Sequence, residues 1–210
     1  MGQIIIKKLN VGGSSPYRYF LWPLPTRRAD GTWKPSAWTE PVELPIEKCR
    51  RGYHGALPHQ VFNWDGDYLY AMETGDVLET YEDKAVTERA RLLAPLEFTF
   101  EEEQDLLRQI ARILVNRVRS KKHRQYLEAR LAGTTPYMYL PYDASELVTY
   151  VNGFIDIIEQ REKNYWPGDF MHRLRQVLEY DQKKAILTIV VAVIERKLAE
   201  AVALVRDEDV

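Results

Sequence analysis

The sequence has 210 residues, of which 45% are hydrophobic, and its 29 basic and 31 acidic residues give a net charge of −2. This length allows one large domain or two small ones, and the hydrophobic fraction is sufficient for a core, so a largely disordered chain is excluded. The near balance of charge excludes a protein that coats nucleic acid through overall basicity, and the single cysteine, Cys49, excludes a disulfide framework within the chain.

The first part of the chain, up to Pro95, predicts short strands. It is rich in Tyr, Trp, Thr and Val and is interrupted by Gly and Pro, which is typical of an antiparallel sheet joined by turns. The predicted strands are Gln3–Leu9, Tyr17–Trp22, Val42–Ile46, Tyr68–Glu73 and Arg89–Leu93.

Apolar residues recur with helical spacing after Pro95. The segment Thr99-Phe-Glu-Glu102 matches a capping box, in which each of the two side chains accepts from the backbone amide of the other residue. This pattern predicts a helix that runs to Leu131 and is ended by Gly133.

Two further helical stretches follow. One opens at Asp143-Ala-Ser-Glu146, and the other covers Phe170 to about Arg206 with a bend near Tyr180. The middle of the latter, Ile186–Ile194, is apolar almost all round, as expected for a helix at the centre of a bundle.

These elements predict an α+β fold. A small, mostly antiparallel N-terminal sheet would pack against a C-terminal bundle of about three helices. The predicted division is a β-rich domain of residues 1–97 and an α-helical domain of residues 98–210.

Basic residues are concentrated in the first predicted helix. Between Gln104 and Gly133 the chain has eight Arg or Lys residues and two Asp or Glu residues. On a continuous helix, several of them lie near one stripe opposite the apolar face. They are Arg108, Arg112, Arg119, Lys122 and Arg130. Such a stripe would neutralise phosphates of a nucleic acid; the alternative is a solvated face that pairs with acidic residues elsewhere.

Aromatic residues are the second candidate binding feature. The chain has 13 Tyr and five Trp, more than one small core readily buries, and both types are frequent anchors of interfaces. The candidates are Trp33, Trp38, Tyr126 and Tyr137, of which the two tyrosines lie close enough in sequence to the basic residues to stack on bases.

The residues closest to a metal-ligand pattern are His54, His59, Asp65 and Asp67, with Cys49 as a further ligand. Pro58 disfavours the helix that would place both histidines on one face, so the alternative is a turn whose imidazole bonds to a backbone carbonyl. We expect no metal and no cofactor.

Acidic residues crowd the stretch from Asp65 to Asp83. Carboxylates at this density bind a divalent cation or share a proton; the alternative is a solvated, acidic edge of the sheet. No nucleophile elbow, Walker loop or dinucleotide-binding fingerprint occurs, so the sequence contains no coherent catalytic set.

One segment carries an ordered set of short motifs. They are Cys49-Arg-Arg-Gly-Tyr-His54, Val61-Phe62, Leu69-Tyr70-x-x-Glu73-x-Gly75, Asp83-Lys84 and Arg89-Ala-Arg-Leu-Leu-Ala-Pro-Leu96. In this order the segment Cys49–Leu96, under a quarter of the chain, resembles a small uncharacterised domain of bacteriophages and prophages. The resemblance implies an origin in a mobile element, and it implies no catalytic residues.

We therefore predict a phage or mobile-element accessory protein that acts by non-catalytic binding to a host or viral macromolecule, such as an inhibitor of a host defence or host enzyme. A protein is the expected partner, and self-association through the third helical stretch is a further expectation. The alternatives are a nucleic-acid-binding protein and a metal-dependent enzyme acting on nucleic acid, which would need at least two carboxylates to converge on a divalent ion.

The location is predicted from the absence of targeting patterns. The start of the chain lacks the long apolar region of a signal peptide, and the longest apolar run, Ala185–Ile194, is about half of a membrane span. We expect a soluble protein without membrane association, in the cytoplasm of a host cell or associated with a virion.

Overall fold

The structure is a computed structural model, and it describes residues 2–16, 20–48, 50–134, 144–161, 169–180 and 184–206. These residues form eight strands and five α-helices, with the strands preceding the helices in the chain. This confirms the predicted α+β class, with antiparallel sheets toward the N-terminus and helices toward the C-terminus.

The strands make two small sheets and a short ribbon. In chain order they are β1 (Ile4–Leu9), β2 (Thr26–Arg27), β3 (Trp33–Lys34), β4 (Tyr53–Gly55), β5 (Tyr68–Thr74), β6 (Leu78–Thr80), β7 (Ala85–Thr87) and β8 (Ala90–Pro95). One sheet has the strand order β1-β5-β8, another has the order β4-β7-β6, and β2 pairs with β3. All of these pairs are antiparallel.

The sheet β1-β5-β8 carries the core of the β-rich part. Ile5, Leu9, Met72 and Leu92 are fully buried in one cluster, together with Trp22. Strand β1 is buried from Ile5 to Leu9 without alternation, so both of its faces are covered. A strand covered on both faces normally carries apolar residues only, and the two lysines at its end are therefore an exception.

The predicted strands agree with the structure in three places. Strands β1, β5 and β8 cover the predicted ranges Gln3–Leu9, Tyr68–Glu73 and Arg89–Leu93 to within two residues at each end. Residues 17–19 of the predicted strand Tyr17–Trp22 lie outside the described residues, and Leu21 forms a single bridge with Ser14.

The predicted strand Val42–Ile46 is wrong, because Pro41 and Pro45 lack the amide hydrogen that a ladder requires. The preceding residues nevertheless run beside the sheet. The amides of Ser36, Thr39 and Val42 each donate to a carbonyl of residues 88–92 at 2.9 Å.

The helices are α1 (Phe100–Asn116), α2 (Lys121–Leu131), α3 (Glu146–Arg161), α4 (Asp169–Tyr180) and α5 (Ala185–Ala203). The capping box is confirmed: the Glu102 amide donates to Thr99 Oγ1 at 3.2 Å, and the Thr99 amide donates to Glu102 Oε2 at 2.9 Å. Gly133, at φ 70°, follows the end of α2 as predicted.

The continuous helix predicted from Thr99 to Leu131 is wrong. It ends at Asn116, and a new helix starts after Ser120, whose hydroxyl accepts from the His123 amide at 3.4 Å. Val118, in the break, is 2% exposed. Tertiary context of this kind overrides local helical periodicity, which predicts no break here.

By their contacts, residues 1–97 and 171–210 form one compact unit, and residues 98–170 form another. The break at residue 97 coincides with the boundary placed from the sequence. The grouping differs from the division into 1–97 and 98–210, because residues 171–210 belong with the β-rich part. We refer to these as the β-rich unit and the helical unit.

Helix α5 explains this grouping. It lies against β5, β8 and a 3₁₀ helix at Pro58–Asn63, and it buries Ile186, Val190 and Ile194. Past its end, the Trp33 amide donates to the Leu204 carbonyl at 2.9 Å. Within the described ranges, no helix has the length and apolarity needed to cross a membrane. Self-association through this stretch stays a prediction.

Candidate functional site

The structure separates the residues of the predicted basic stripe. Arg112, Arg119 and Lys122 are exposed, Arg108 is half-buried, and Arg130 is 1% exposed. The break between α1 and α2 falls inside the set, so it does not lie on one helical face.

Arg130 binds side chains of α3 instead of facing solvent. Its guanidinium donates to Asn152 Oδ1 at 2.8 Å, Asp156 Oδ1 at 2.8 Å and Glu159 Oε2 at 2.7 Å. An arginine held in this way joins two helices, and it cannot contact a phosphate without losing these bonds.

The candidate aromatic residues lie in separate places. Trp33 is half-buried with the Arg27 guanidinium 5.6 Å from its ring centroid. Trp38 is half-buried with the guanidinium groups of Arg89 and Arg91 at 4.9 and 5.0 Å from its ring centroid. Tyr126 is half-buried on α2, and Tyr137 lies outside the described residues.

The residues considered as metal ligands do not converge. Among the residues that the structure describes, no three His, Cys, Asp or Glu side chains gather as a metal site would require. His59 and Asp65 are exposed, His54 and Asp67 are half-buried, and Cys49 lies outside the described residues.

The acidic stretch from Asp65 to Asp83 is paired with cations. Glu73 bonds to Arg91 Nε at 2.7 Å, and Asp83 bonds to Lys48 Nζ at 2.8 Å. The hydrogen bond from Lys48 holds the pKa of Asp83 below its usual range. Because these carboxylates already bind cations of the protein, the pairs favour a neutralised sheet edge over a divalent-cation site.

A cavity of about 290 Å³ opens beside β1 in the β-rich unit. It is lined by Ile6, Lys7, Lys8, Ser15, Pro16, His54, Gly55, Ala56, Trp64, Asp65 and Lys84. We call this cavity the lysine pocket. Its walls are largely apolar, and three lysines, one histidine and one carboxylate supply its titratable groups.

Backbone contacts build the pocket from distant segments. Ile6 and Ala56 exchange amide hydrogen bonds of 2.9 and 2.8 Å, which attaches the end of β4 to β1. Gly66, at φ 127°, lets the following loop press on β1, where a Cβ would lie 3.1 Å from Lys8 Cβ. A residue with a side chain would be strained at this φ, so this close approach requires glycine.

Lys7 lines the pocket from β1. Its side chain is 7% exposed, its Nζ donates to the His54 carbonyl at 2.8 Å, and the same atom lies 4.8 Å from the centroid of the Trp22 ring. Burial lowers the pKa of Lys7 to about 7. Removal from water disfavours the charged form of an amine, which gives this direction.

Lys8 is also buried, and its Nζ donates to the Trp64 carbonyl at 2.6 Å. Burial lowers the pKa of Lys8 to about 8; Asp65 and Asp67 oppose this displacement, and Arg175 adds to it. Asp65 forms an ion pair with Arg175 of α4, so its charge is shared with a cation other than Lys8.

Lys84, which is 2% exposed, completes the set. Its Nζ lies 4.5 Å from the centroid of the Trp64 ring and 3.8 Å from Asp83 Oδ2. The Trp64 indole donates to the Asp83 carbonyl at 2.6 Å, which fixes the ring as one wall of the pocket.

A second cavity of about 190 Å³ adjoins the lysine pocket. It shares Lys8, Trp64 and Asp65 with the pocket and adds Arg175 and Asp67. Cations therefore outnumber carboxylates around the combined space, and the excess suits a carboxylate or a phosphate.

Local patterns in the sequence do not indicate this site. One signal was present: Lys7 and Lys8 follow three isoleucines in a predicted strand. Two adjacent lysines in a strand point to opposite faces of the sheet. Both can line one cavity only where other segments of the chain cover both faces of that strand. That cover comes from residues more than 45 positions away, which local patterns do not reveal.

Comparison of this chain with protein-family models, curated proteins and solved structures found no match. The resemblance of Cys49–Leu96 to a phage domain therefore stays a prediction, as does an origin in a mobile element.

Proposed function

We propose that this protein works by binding a small molecule that carries a carboxylate or a phosphate, and that the lysine pocket holds it. The observation that carries the proposal is the presence of Lys7, Lys8 and Lys84, all buried, around one cavity. Burying an ammonium group opposes folding unless a counter-charge or hydrogen bonds compensate it. The bonds of Lys7 and Lys8 go to uncharged backbone carbonyls, so an anion in the cavity would add a counter-charge that these bonds do not supply.

The dimensions and walls of the pocket support a small ligand. Its volume of about 290 Å³ lies just below the range for small-molecule sites, about 300–1,000 Å³, so it suits a small ligand. Ile6, Ala56 and Trp64 offer apolar contacts beside the cations. Most small-ligand sites combine such walls with a few placed polar groups.

Anion binding is expected to depend on the buried lysines. In titrations followed by tryptophan fluorescence at pH 7 and constant ionic strength, phosphate or succinate should bind the wild-type protein. Lys84→Met and Lys8→Gln should each weaken binding about ten- to a hundredfold, since a charge-assisted hydrogen bond is worth about 1.5–3 kcal/mol.

The matched control is Lys34→Met, which removes an exposed lysine on β3. It should bind both anions like the wild type. Equal affinity of all four proteins, or a fluorescence change that sodium chloride reproduces at the same ionic strength, would contradict the proposal.

Nucleic-acid binding through the helical unit is a second candidate, because Arg112, Arg119 and Lys122 are exposed within a short stretch of the chain. Each phosphate contact that they make should contribute about 0.9 to the slope of log affinity against log salt for duplex DNA. The prediction of a protein partner has no comparable observation behind it and stays a prediction.

Replacing Arg112, Arg119 and Lys122 together by alanine is expected to weaken duplex binding and flatten its salt dependence. The fold should tolerate the change, since exposed helix charges contribute about 0.3–0.5 kcal/mol through local pairs. Gln109, Asn116 and Gln125 are exposed on the same helices, and their triple alanine variant is the control. If the two triple variants show equal slopes of log affinity against log salt, these three residues do not form a binding surface for duplex DNA.

A further inference from the structure

Lys7 differs from the other two lysines of the pocket in its surroundings. The Lys84 amine lies 3.8 Å from the Asp83 carboxylate, and the negative charges of Asp65 and Asp67 act to raise the pKa of Lys8. For Lys7, burial is the one effect that displaces the pKa, so among the described residues no carboxylate holds its amine in the charged form. A backbone carbonyl and an indole ring are its contacts.

We propose that the amine of Lys7 condenses reversibly with a carbonyl group of the bound anion, so that the ligand is a small oxo acid held as an imine. This inference rests on the proposed function and adds the chemical class of the ligand. Its geometric basis is that Lys7 is buried and lines a cavity that two further buried lysines also line.

The chemistry needs no co-reactant. The nitrogen lone pair attacks the carbonyl carbon, and the π electrons of the C=O bond move to oxygen, which takes up a proton. The nitrogen gives up one proton, which leaves a neutral carbinolamine. Its hydroxyl takes up a proton and departs as water, and the nitrogen then releases its second hydrogen as a proton, so no proton is gained or lost overall. The net change is one C=N bond formed, one C=O bond broken and one water released, with no change of oxidation state.

The environment favours each requirement of this step. An amine must be neutral to attack, and with its pKa near 7 about half of the Lys7 side chains are neutral at pH 7. A desolvated lysine is the usual form of such a nucleophile. The other titratable groups around the cavity are Lys8, His54, Asp65 and Lys84, of which the two lysines attract the carboxylate of the ligand.

Reductive trapping tests the proposal on the unmodified chain. The protein is treated at pH 7 with glyoxylate, the smallest aldehyde acid, and sodium cyanoborohydride, which reduces an imine to a stable secondary amine. Modified lysines are then located by peptide mass spectrometry. We expect Lys7 to be modified about ten times faster or more than the exposed Lys34 and Lys122, because burial lowers the pKa of Lys7 to about 7 and leaves much of its amine neutral at this pH.

Two comparisons connect the reactivity with the anion site. Phosphate should slow modification of Lys7 and leave Lys34 unaffected, and acetaldehyde, which has no charge, should modify Lys7 with much less selectivity than glyoxylate. Lys7→Arg should abolish the selective adduct, whereas Lys34→Met should preserve it.

Each contrary result points to a different error. Modification spread evenly over the lysines overturns the imine. Lysine-dependent binding of glyoxylate without an adduct at Lys7 also overturns the imine, but leaves the anion site in place. Selective labelling of Lys7 that is equal for both aldehydes and insensitive to phosphate shows a reactive amine outside an anion site, and it overturns the assigned ligand class.

Discussion

Replacing Arg130 by alanine is expected to lower the free energy of unfolding of the helical unit by about 2–4 kcal/mol. The guanidinium is fully buried and bonds to Asn152, Asp156 and Glu159 of α3. Its removal leaves a buried amide and two carboxylates without their donor. The loss stays below that of a fully buried ion pair because Asp156 and Glu159 are 27% and 46% exposed.

Urea unfolding followed by helical circular dichroism measures this change. Arg130→Lys should recover part of the loss at most, since an ammonium group does not reproduce the planar fork of a guanidinium. Lys122→Ala on the same helix should stay within about 0.5 kcal/mol of the wild type, as exposed substitutions usually do.

Urea unfolding, together with a measurement of affinity for duplex DNA, separates a structural role of Arg130 from a binding role. A polyanion-binding arginine would lose affinity on substitution while the stability stays unchanged. If Arg130→Ala unfolds like the wild type and loses affinity for duplex DNA, the sequence-based assignment of Arg130 to a binding stripe is right and the bonding in the helical unit contributes little.

Local signals in the sequence predicted what local interactions determine. Thr99 and Glu102 cap α1 through bonds between residues three apart, and the spacing alone indicates them. Strands β1, β5 and β8 were predicted because each is a short run of strand-forming residues bounded by turns.

Features that depend on distant residues were missed or misplaced. Helix α1 ends at Asn116, fifteen residues before the predicted end at Leu131, and Val118 in the break is buried. Apolar periodicity predicted α5 but could not say that its buried face lies on the sheet. The binary pattern of a helix gives its apolar side, while the partner of that side is a property of the whole fold.

The lysine pocket shows the same limit at the level of a site. Lys7 bonds to the carbonyl of His54 and Lys8 bonds to the carbonyl of Trp64, 47 and 56 positions along the chain. Backbone carbonyls carry no signature in the side-chain sequence. The available signal is two adjacent lysines in an otherwise apolar strand. It points to a buried polar site only once both faces of that strand are known to be covered.

Lys7→Met is expected to raise the stability of the β-rich unit by about 2–4 kcal/mol at pH 6–7. Folding moves the pKa of this amine from 10.5 to about 7, so below pH 7 the folded protein holds a buried charge that the unfolded chain keeps in water. Methionine fills similar space without the charge. The gain in stability is smaller than the full displacement of the Lys7 pKa implies, because the hydrogen bond to the His54 carbonyl and the contact with Trp22 are lost.

The pH dependence gives the sign of this effect a separate check. Between about pH 7 and 10.5 the unfolded wild-type chain binds one more proton at this position than the folded protein, so wild-type stability rises with pH. The advantage of Lys7→Met is therefore complete below pH 7 and disappears toward pH 10.5. Urea unfolding at a series of pH values measures it, and Lys34→Met should run parallel to the wild type throughout.

Anions should reduce the difference in stability between Lys7→Met and the wild type. A ligand that binds the folded state stabilises it by about 2.7 kcal/mol at a hundred times its dissociation constant. Phosphate at pH 6.5 is thus expected to stabilise the wild type more than Lys7→Met, because the charge that opposes folding is the charge that attracts the ligand. A Lys7→Met protein that is less stable than the wild type at every pH would show that the amine is held by its hydrogen bond and its indole contact. The buried charge would then have no need of an anion, and the main support for a ligand in the lysine pocket would be lost.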